Sequence, residues 1–411
     1  MLNNIYTHLI IFIFKITFLD SSLIKNKIHI NSHNISINEY YNVEECKQFN
    51  YVIYYYIDSN LWKWYITTAL NNIEKNTCIY FVRVYSVRSA TLHFTWGDRC
   101  RSEAICHKIK HRAQKIFLFW SCHKKVIAIQ AIVHETLGIY PQHTRPDRDK
   151  FVKIQYDNIR PDASSSVLPS LFGKYIYNYS VDNVSYDYGS IMHWLKNAYT
   201  KDNRKDTIVA TEFNRYYSSM MGQREVVSFN DYKILNYFYC SHILNMSSVK
   251  CHYGGYPNVK RRDRCTCPPG LDNPSCSQFV RIRGYHGVIW EECGPVVLEA
   301  KIKSENFRLK SKYICFIYVQ APQNKKALVY MKKVIIEDSY PCYSGYTTVE
   351  VRYRSDKGAM GLCLCYWDYR PINIVSEDQL IIVLYAGHSA IHEIDFNYRS
   401  LEASESIQHI P

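Results

Sequence analysis

His134 and Glu135 stand side by side near the end of an apolar run that begins at Val126 and reads as a helix stopping at Gly138. A His-Glu pair on a helix can open one particular chemistry. A second His four residues on shares the first one's face, so both reach one zinc ion, and the Glu takes a proton from the zinc-bound water. The metal lowers the pKa of that water to about 7, and the hydroxide so formed attacks a carbonyl carbon. A Gly that breaks the helix then lets the chain turn and deliver a third ligand. In this chain the residue four past His134 is Gly138, which has no side chain to offer. His-Glu alone is a common dipeptide, but its surroundings are not common. His143-Thr144-Arg145-Pro146-Asp147-Arg148-Asp149 begins five residues past the glycine. About fifty residues later comes Tyr186-Asp187-Tyr188-Gly189-Ser190-Ile191-Met192-His193-Trp194.

The elements that must position these residues can be read from periodicity. Ser59 reads as the N-cap of a helix over Leu61–Ile73, with Trp62, Tyr65, Ile66, Ala69, Leu70 and Ile73 on one face. Two β-branched and aromatic runs, Cys78–Tyr85 and Thr91–Trp96, read as strands. The helix at Val126–Leu137 follows, then a long irregular segment to about Cys240. Residues Cys251–Cys276 are cysteine-dense, with turn signals at Gly254-Gly255 and Pro268-Pro269-Gly270, too short to build much core without disulfides. Beyond Cys293, short strand candidates recur at Val296–Ile302, Leu328–Ile336, Thr347–Arg354, Gly361–Trp367, Gln379–Tyr385 and His392–Tyr398. That spacing predicts an antiparallel β-sandwich.

Composition agrees with several globular domains. The chain has 411 residues, 47% hydrophobic and 21% charged, which excludes a disordered tail or a membrane bundle. Its net charge of +13 raises nucleic acid as a partner. The one basic run, Lys260-Arg261-Arg262-Asp263-Arg264, is short and lies between cysteines, so it reads as a solvated loop and no nucleic-acid partner is expected. Fifteen cysteines point to an oxidising, extracellular setting, and the odd number leaves at least one without an internal partner. Leu9–Leu19 is too short to span a bilayer and resembles the apolar part of a signal peptide, so no transmembrane segment is expected.

The two blocks above resemble the zinc helix and the Met-turn of the astacin family of metzincin metalloproteases. Gly222-Gln223-Arg224, Ser228, Asp231, Asn236 and Cys240 match the family's closing pattern. The resemblance implies a zinc endopeptidase built on H-E-x-x-H-x-x-G-x-x-H, with a Tyr after the Met-turn as a further ligand. Matched on Thr136-Leu137-Gly138, the chain keeps His134 as a remnant zinc ligand and Glu135 as a remnant general base. Three residues including the second His are then missing, the third ligand is replaced by Pro141, and the Tyr ligand by Trp194. If the gap is placed ahead of His134 instead, no ligand survives. Met192 is the Met-turn methionine. Zinc is the family's cofactor, and its binding is doubtful on this ligand set. The position of the family Glu that pairs with the mature amino terminus holds Gln142, and residues 20–50 carry no F-x-G-D pro-segment motif.

The resemblance extends to disulfides and modules. It implies Cys78–Cys240 and Cys100–Cys122 in the peptidase-like part. The next stretch resembles an EGF-like module with Cys251–Cys265 and Cys267–Cys276. Residues 289–398 resemble a CUB domain with Cys293–Cys315 and Cys342 joined to Cys363 or Cys365, Cys342–Cys363 being preferred. Cys46, Cys106 and the remaining one of Cys363 and Cys365 stay outside this framework. Calcium-binding CUB domains carry an Asp where this chain has Thr347, so calcium is not expected. The expected fold class is α+β: a two-lobed metzincin-type catalytic domain, a small disulfide-stapled EGF-like module and an all-β CUB sandwich. The expected boundaries are 1–20 signal peptide, 21–50 amino-terminal or pro segment, 51–240 astacin-like peptidase domain, 241–277 EGF-like and 289–398 CUB. The expected function is that of a secreted astacin homologue acting as a pseudoprotease that binds extracellular protein or peptide. The rival is an active zinc endopeptidase whose coding sequence is misrepresented across Val133–Pro141. The sequence does not define an oligomeric state.

Overall fold

The computed structural model describes residues 40–42, 51–103, 112–161, 171–176, 184–272, 274–280, 297–337, 340–345, 348–387, 391–402 and 405. The proposed signal peptide, Cys46, Cys106, Cys293 and Thr347 lie outside the described residues. Among the described residues, no helix is long and apolar enough to cross a membrane.

The amino-terminal half is a five-stranded sheet faced by helices. Its strand order is Tyr80–Arg83, Val52–Ile57, Leu92–Trp96, Gln114–Leu118, Arg101–Ser102, with the first four parallel and the last antiparallel. Alternation decides which side chains go inward: Ile53, Tyr55 and Ile57 are buried, as are Leu92 and Phe94. Two helices, α1 (Lys63–Asn76) and α2 (Val126–Thr136), pack on each other and close this core. The periodic face of α1 is buried at Ile66, Ala69, Leu70 and Ile73. Its start differs from the sequence expectation. Trp62, not Ser59, precedes the first turn, because Leu61 is buried in a tight turn whose N–H is bonded to Asp58 O at 3.2 Å.

Below this sheet the chain makes short elements. Val152–Ile154 pairs with Ile208–Ala210, and α3 (Asn214–Met220) and α4 (Phe229–Tyr239) follow. The Cys78–Cys240 bridge fastens the end of α4 to the sheet, and Cys100–Cys122 joins the sheet edge to the entrance of α2.

The carboxy-terminal half is disulfide-rich and almost wholly β. Two small hairpins carry Cys251–Cys265 and Cys267–Cys276. Two larger sheets face each other across an apolar core. One runs Val297–Glu299, Ile314–Gln320, Leu380–Ala386, Thr348–Arg352, Leu362–Leu364; the other runs Glu305–Ser311, His392–Glu402, Lys325–Ile335, Ile372–Val375. The sandwich is not purely antiparallel, since Val297–Glu299 pairs in parallel with Ile314–Gln320.

The preferred Cys342–Cys363 bridge is overturned: Cys342 is joined to Cys365, and Cys363 is a free, buried thiol. Cys363 lies inside the Leu362–Leu364 strand opposite Glu350, whereas Cys365 sits just past the strand end, where the loop carrying Cys342 can reach it. Burial pushes the Cys363 thiol well above its ordinary pKa. Cys315 is disulfide-bonded. Its expected partner, Cys293, lies outside the described residues.

Candidate functional site

The site is built from α2 upward. Ala128, Ala131, Ile132 and Glu135 are three and four residues apart, so they share one helical face. That face walls a cavity of about 200 Å³, completed by Pro141, Ile191, Met192, Trp194, Arg224 and the Cys100–Cys122 bridge. His134 is not among the lining residues. One helical step of about 100° turns it away from Glu135. It is fully buried, with its ring 6.1 Å from that of Tyr232. Its Nδ1 donates to Gln130 O at 2.7 Å, which leaves Nε2 as the bare acceptor nitrogen, with no hydrogen-bond partner among the described residues. Burial pushes the His134 pKa below the ordinary value, against the opposing pull of Asp231, so the ring is neutral at pH 7.

Gly138 fixes the register of the motif. It sits just past α2 with φ +95°, a left-handed conformation that suits glycine and turns the chain out of the helix. Setting this glycine on the Gly of H-E-x-x-H-x-x-G-x-x-H places the three ligands at 131, 135 and 141 and the base at 132. These positions hold Ala131, Glu135, Pro141 and Ile132, and all four line the one cavity. The sequence reading of His134 as remnant ligand and Glu135 as remnant base is therefore corrected. Counted from Gly138 the motif needs no gap, and its ligand positions are filled by other side chains. Glu135 stands where the second ligand belongs. His134 matched the motif by residue type and not by position.

This lining does not fit zinc. Ala131, Ile132 and Pro141 offer no side-chain donor atom to a metal, and the indole N–H of Trp194 can only donate a hydrogen bond. Glu135 supplies one carboxylate, whereas zinc sites use three or four protein ligands. Among the described residues, no group of three His, Cys, Asp or Glu side chains could hold a metal ion. A cation already faces this carboxylate. The Arg224 guanidinium lines the same cavity, and its Nη1 donates to Gln223 O at 2.7 Å and His193 O at 3.2 Å. Burial raises the Glu135 pKa, while a backbone hydrogen bond from Ser102 and the charge of Arg224 oppose the rise. Sequence reasoning matched Arg224 only as part of a closing pattern and missed its place opposite Glu135. The signal available was the spacing to Gly138, counted backwards without a gap.

The floor of the cavity is a hydrogen-bonded turn. Asp231, in the first turn of α4, accepts from the Ser190 hydroxyl and from Ile191 N at 3.0 Å. Asp231 and Ser228 also form a capping box that starts α4. Burial, and then the neighbouring Asp231, push the Asp187 pKa up to about 7. His193 is held at both nitrogens: Tyr186 Oη donates to Nε2 at 2.8 Å, and Nδ1 donates to Trp194 O at 2.7 Å. Burial lowers its pKa to about 4. Met192 and Trp194 border the cavity, and the Trp194 ring packs on His143 at 4.4 Å. His143 lies outside the lining, and its Nε2 donates to Leu171 O at 3.0 Å. The Arg-Pro-Asp-Arg-Asp block braces this region. Arg145 pairs with Asp147 at 2.8 Å, and Arg148 donates to His143 O at 2.7 Å.

Known proteins place this arrangement. Zinc metalloproteinase dpy-31 of Teladorsagia circumcincta is 33% identical over 218 residues, covering 52% of this chain and 34% of that protein. Zinc metalloproteinase nas-34 of Caenorhabditis elegans is 27% identical over 368 residues, covering 88% of this chain and 57% of that protein. The chain thus spans between about a third and three-fifths of these curated relatives. Among solved structures, high choriolytic enzyme 1, a hatching enzyme zinc-protease from medaka fish (Oryzias latipes), is 27% identical. It covers 46% of this chain and 89% of its own, with a TM-score of 0.40. The family model of the astacin peptidases matches residues 28–240, just over half of the chain. With that match, and with the Met-turn floor and glycine-terminated helix in place around an altered lining, the chain belongs to the astacin family.

Proposed function

We propose that this protein is a secreted pseudoprotease, an astacin-type domain that keeps its cleft, has lost its zinc site and binds an extracellular protein or peptide. One observation carries the reading: Ala131, Ile132, Glu135, Pro141 and Trp194 occupy the ligand, base and Tyr positions of the motif around one cavity. The losses include the base position, held by Ile132, as well as the metal ligands; the carboxylate of the lining, Glu135, stands at a ligand position. The ungapped register from Gly138, which sets 131, 132, 135 and 141 around one cavity, argues against the rival in which residues are missing from the coding sequence. The bridges Cys251–Cys265 and Cys267–Cys276 in paired hairpins support an EGF-like module over about 241–277. The two-sheet sandwich with Cys342–Cys365 supports a CUB domain over about 289–398. Five disulfides between described residues support an oxidising compartment.

The test is the zinc content of the purified protein together with cleavage of a denatured protein substrate. The expected result is no stoichiometric zinc and no cleavage. One equivalent of tightly held zinc with chelator-sensitive cleavage would overturn the reading.

A further inference from the structure

A second hollow lies beside the cleft. Three of the chain's seven tryptophans, Trp62, Trp96 and Trp120, surround a cavity of about 220 Å³ with His123 and Asn60. Cys122, which walls the cleft, sits between Trp120 and His123 in the chain, so the two cavities share one loop. Exposed apolar residues scattered singly need no explanation. These are grouped and strongly exposed, Trp62 at 56% and Trp120 at 69%. Their rings form a corner and not a stack: Trp96 meets Trp120 at 4.8 Å and 78°, and His123 meets Trp96 at 5.2 Å and 67° and Trp120 at 5.1 Å and 87°.

His123 adds a second, independent observation. It is 4% exposed, and its Nδ1 donates to Phe119 O and Trp120 O, both at 3.2 Å. Its Nε2 is therefore an acceptor, and it has no hydrogen-bond partner among the described residues. A buried polar atom without a partner costs free energy and is expected to have one. Asn60 brings an amide, both donor and acceptor, to the same rim.

Charge narrows the occupant. The Lys124 Nζ already lies 4.4 Å from the centre of the Trp62 ring, and among the described residues no acidic side chain lines the hollow. A cationic ligand would meet a lysine where it needs a free aromatic face. The perpendicular walls also differ from the aromatic grooves that grip proline-rich helices. A pyranose ring meets every feature. Its C–H face carries partial positive charge and lies on the negative face of an indole. Its hydroxyl edge can bond the Asn60 amide at the rim, and the hollow has room for about one ring. We propose that this hollow binds a pyranose unit of a neutral glycan, docking the protein on glycosylated material beside its cleft. Such a site stands whether or not the cleft is catalytic.

The test titrates the full chain with maltotriose, mannotriose, cellotriose and chitotriose, following tryptophan fluorescence. Decaproline and tetramethylammonium serve as the competing chemistries. Saturable binding of at least one trisaccharide is expected below about 10 mM, with affinity reduced at least about tenfold in Trp120→Ala and in Trp62→Ala. Both side chains are more than half exposed, so an unchanged Tm will show that the variants are folded. The proposal is overturned if no trisaccharide binds, if binding survives both substitutions, or if only decaproline or tetramethylammonium saturates the signal.

Discussion

At the residue scale the cavity turns on four positions. If Gly138 sets the register, zinc binding should return when the motif is rebuilt there, through Ala131→His, Ile132→Glu, Glu135→His and Pro141→His together. We expect this variant to take up about one equivalent of zinc and the wild type none, as measured by metal analysis after gel filtration. Placing a His four residues past His134, by Gly138→His, should restore nothing, because His134 faces the core and not the cavity. Zinc uptake by Gly138→His would defeat the register. The buried histidines make a second prediction. His193 has its pKa lowered to about 4, and His134 and His143 are lowered in the same direction by burial. Between about pH 6.5 and 4 the unfolded chain binds more protons at these sites than the folded one, so stability is present above pH 6.5 and lost as pH falls. His193 alone should contribute a few kcal/mol, about 1.4 per pKa unit. Denaturant titrations at pH 7 and pH 4.5 should show the loss, and a flat profile would mean that His193 is not neutral and buried. The sequence made this residue chemistry half legible. Residue types singled out the correct helix and Met-turn. Matching the His134-Glu135 pair by identity hid the fact that Gly138, being conformationally constrained, was the better anchor.

Elements were legible wherever alternation or helical period was strong. The buried face of α1 and the strands at Leu92–Trp96 and His392–Glu402 follow from it, and Leu380–Ala386 follows from a continuous apolar run buried at every position. Glu305–Ser311 was missed because its outward positions are Asn306, Arg308 and Lys310, which mask an inward row of Phe307, Leu309 and Ser311. The choice between Cys363 and Cys365 was hidden too, since it depends on where a strand ends and not on spacing. The α4 start is an element whose worth can be measured. Ser228 caps α4 by accepting from Asp231 N at 3.1 Å, while Asp231 returns the bond to Ser228 N at 2.9 Å and also holds the Met-turn. Ser228→Ala should cost about 1 kcal/mol in urea denaturation. Asp231→Ala should cost more, because it also frees Ile191 N and the Ser190 hydroxyl beneath the cavity. If the two variants cost the same, Asp231 is only a cap and the turn holds itself.

Across the whole molecule, the β-rich half braces the turn that floors the cavity. Asp356, from the loop after Thr348–Arg352, accepts from Ser185 N at 2.9 Å and Asn230 Nδ2 at 3.1 Å, and pairs with Lys233 Nζ at 3.3 Å. Arg354 donates to Tyr186 O at 2.9 Å, and Tyr353 meets Tyr217, hydroxyl to hydroxyl, at 2.9 Å. Gly189 is packed so closely on Met360 that a Cβ there would collide with it. None of these contacts was legible in the sequence, because each joins residues more than a hundred positions apart through loops with no periodic signal. Their consequence is that the two halves should unfold together. Lys233 is 1% exposed, and burial lowers its pKa, so its charge depends on Asp356. Asp356→Ala leaves that ammonium buried and unpaired and should cost about 3–5 kcal/mol. Combining it with Lys233→Met removes the charge and should recover part of the loss, which is the coupling expected of a contact formed in solution. Calorimetry should show one transition in the wild type and an earlier or divided one in Asp356→Ala. If Asp356→Ala leaves a single unshifted transition and Lys233→Met is additive with it, the halves are joined by chain alone, and the brace under the Met-turn contributes nothing to holding the cleft.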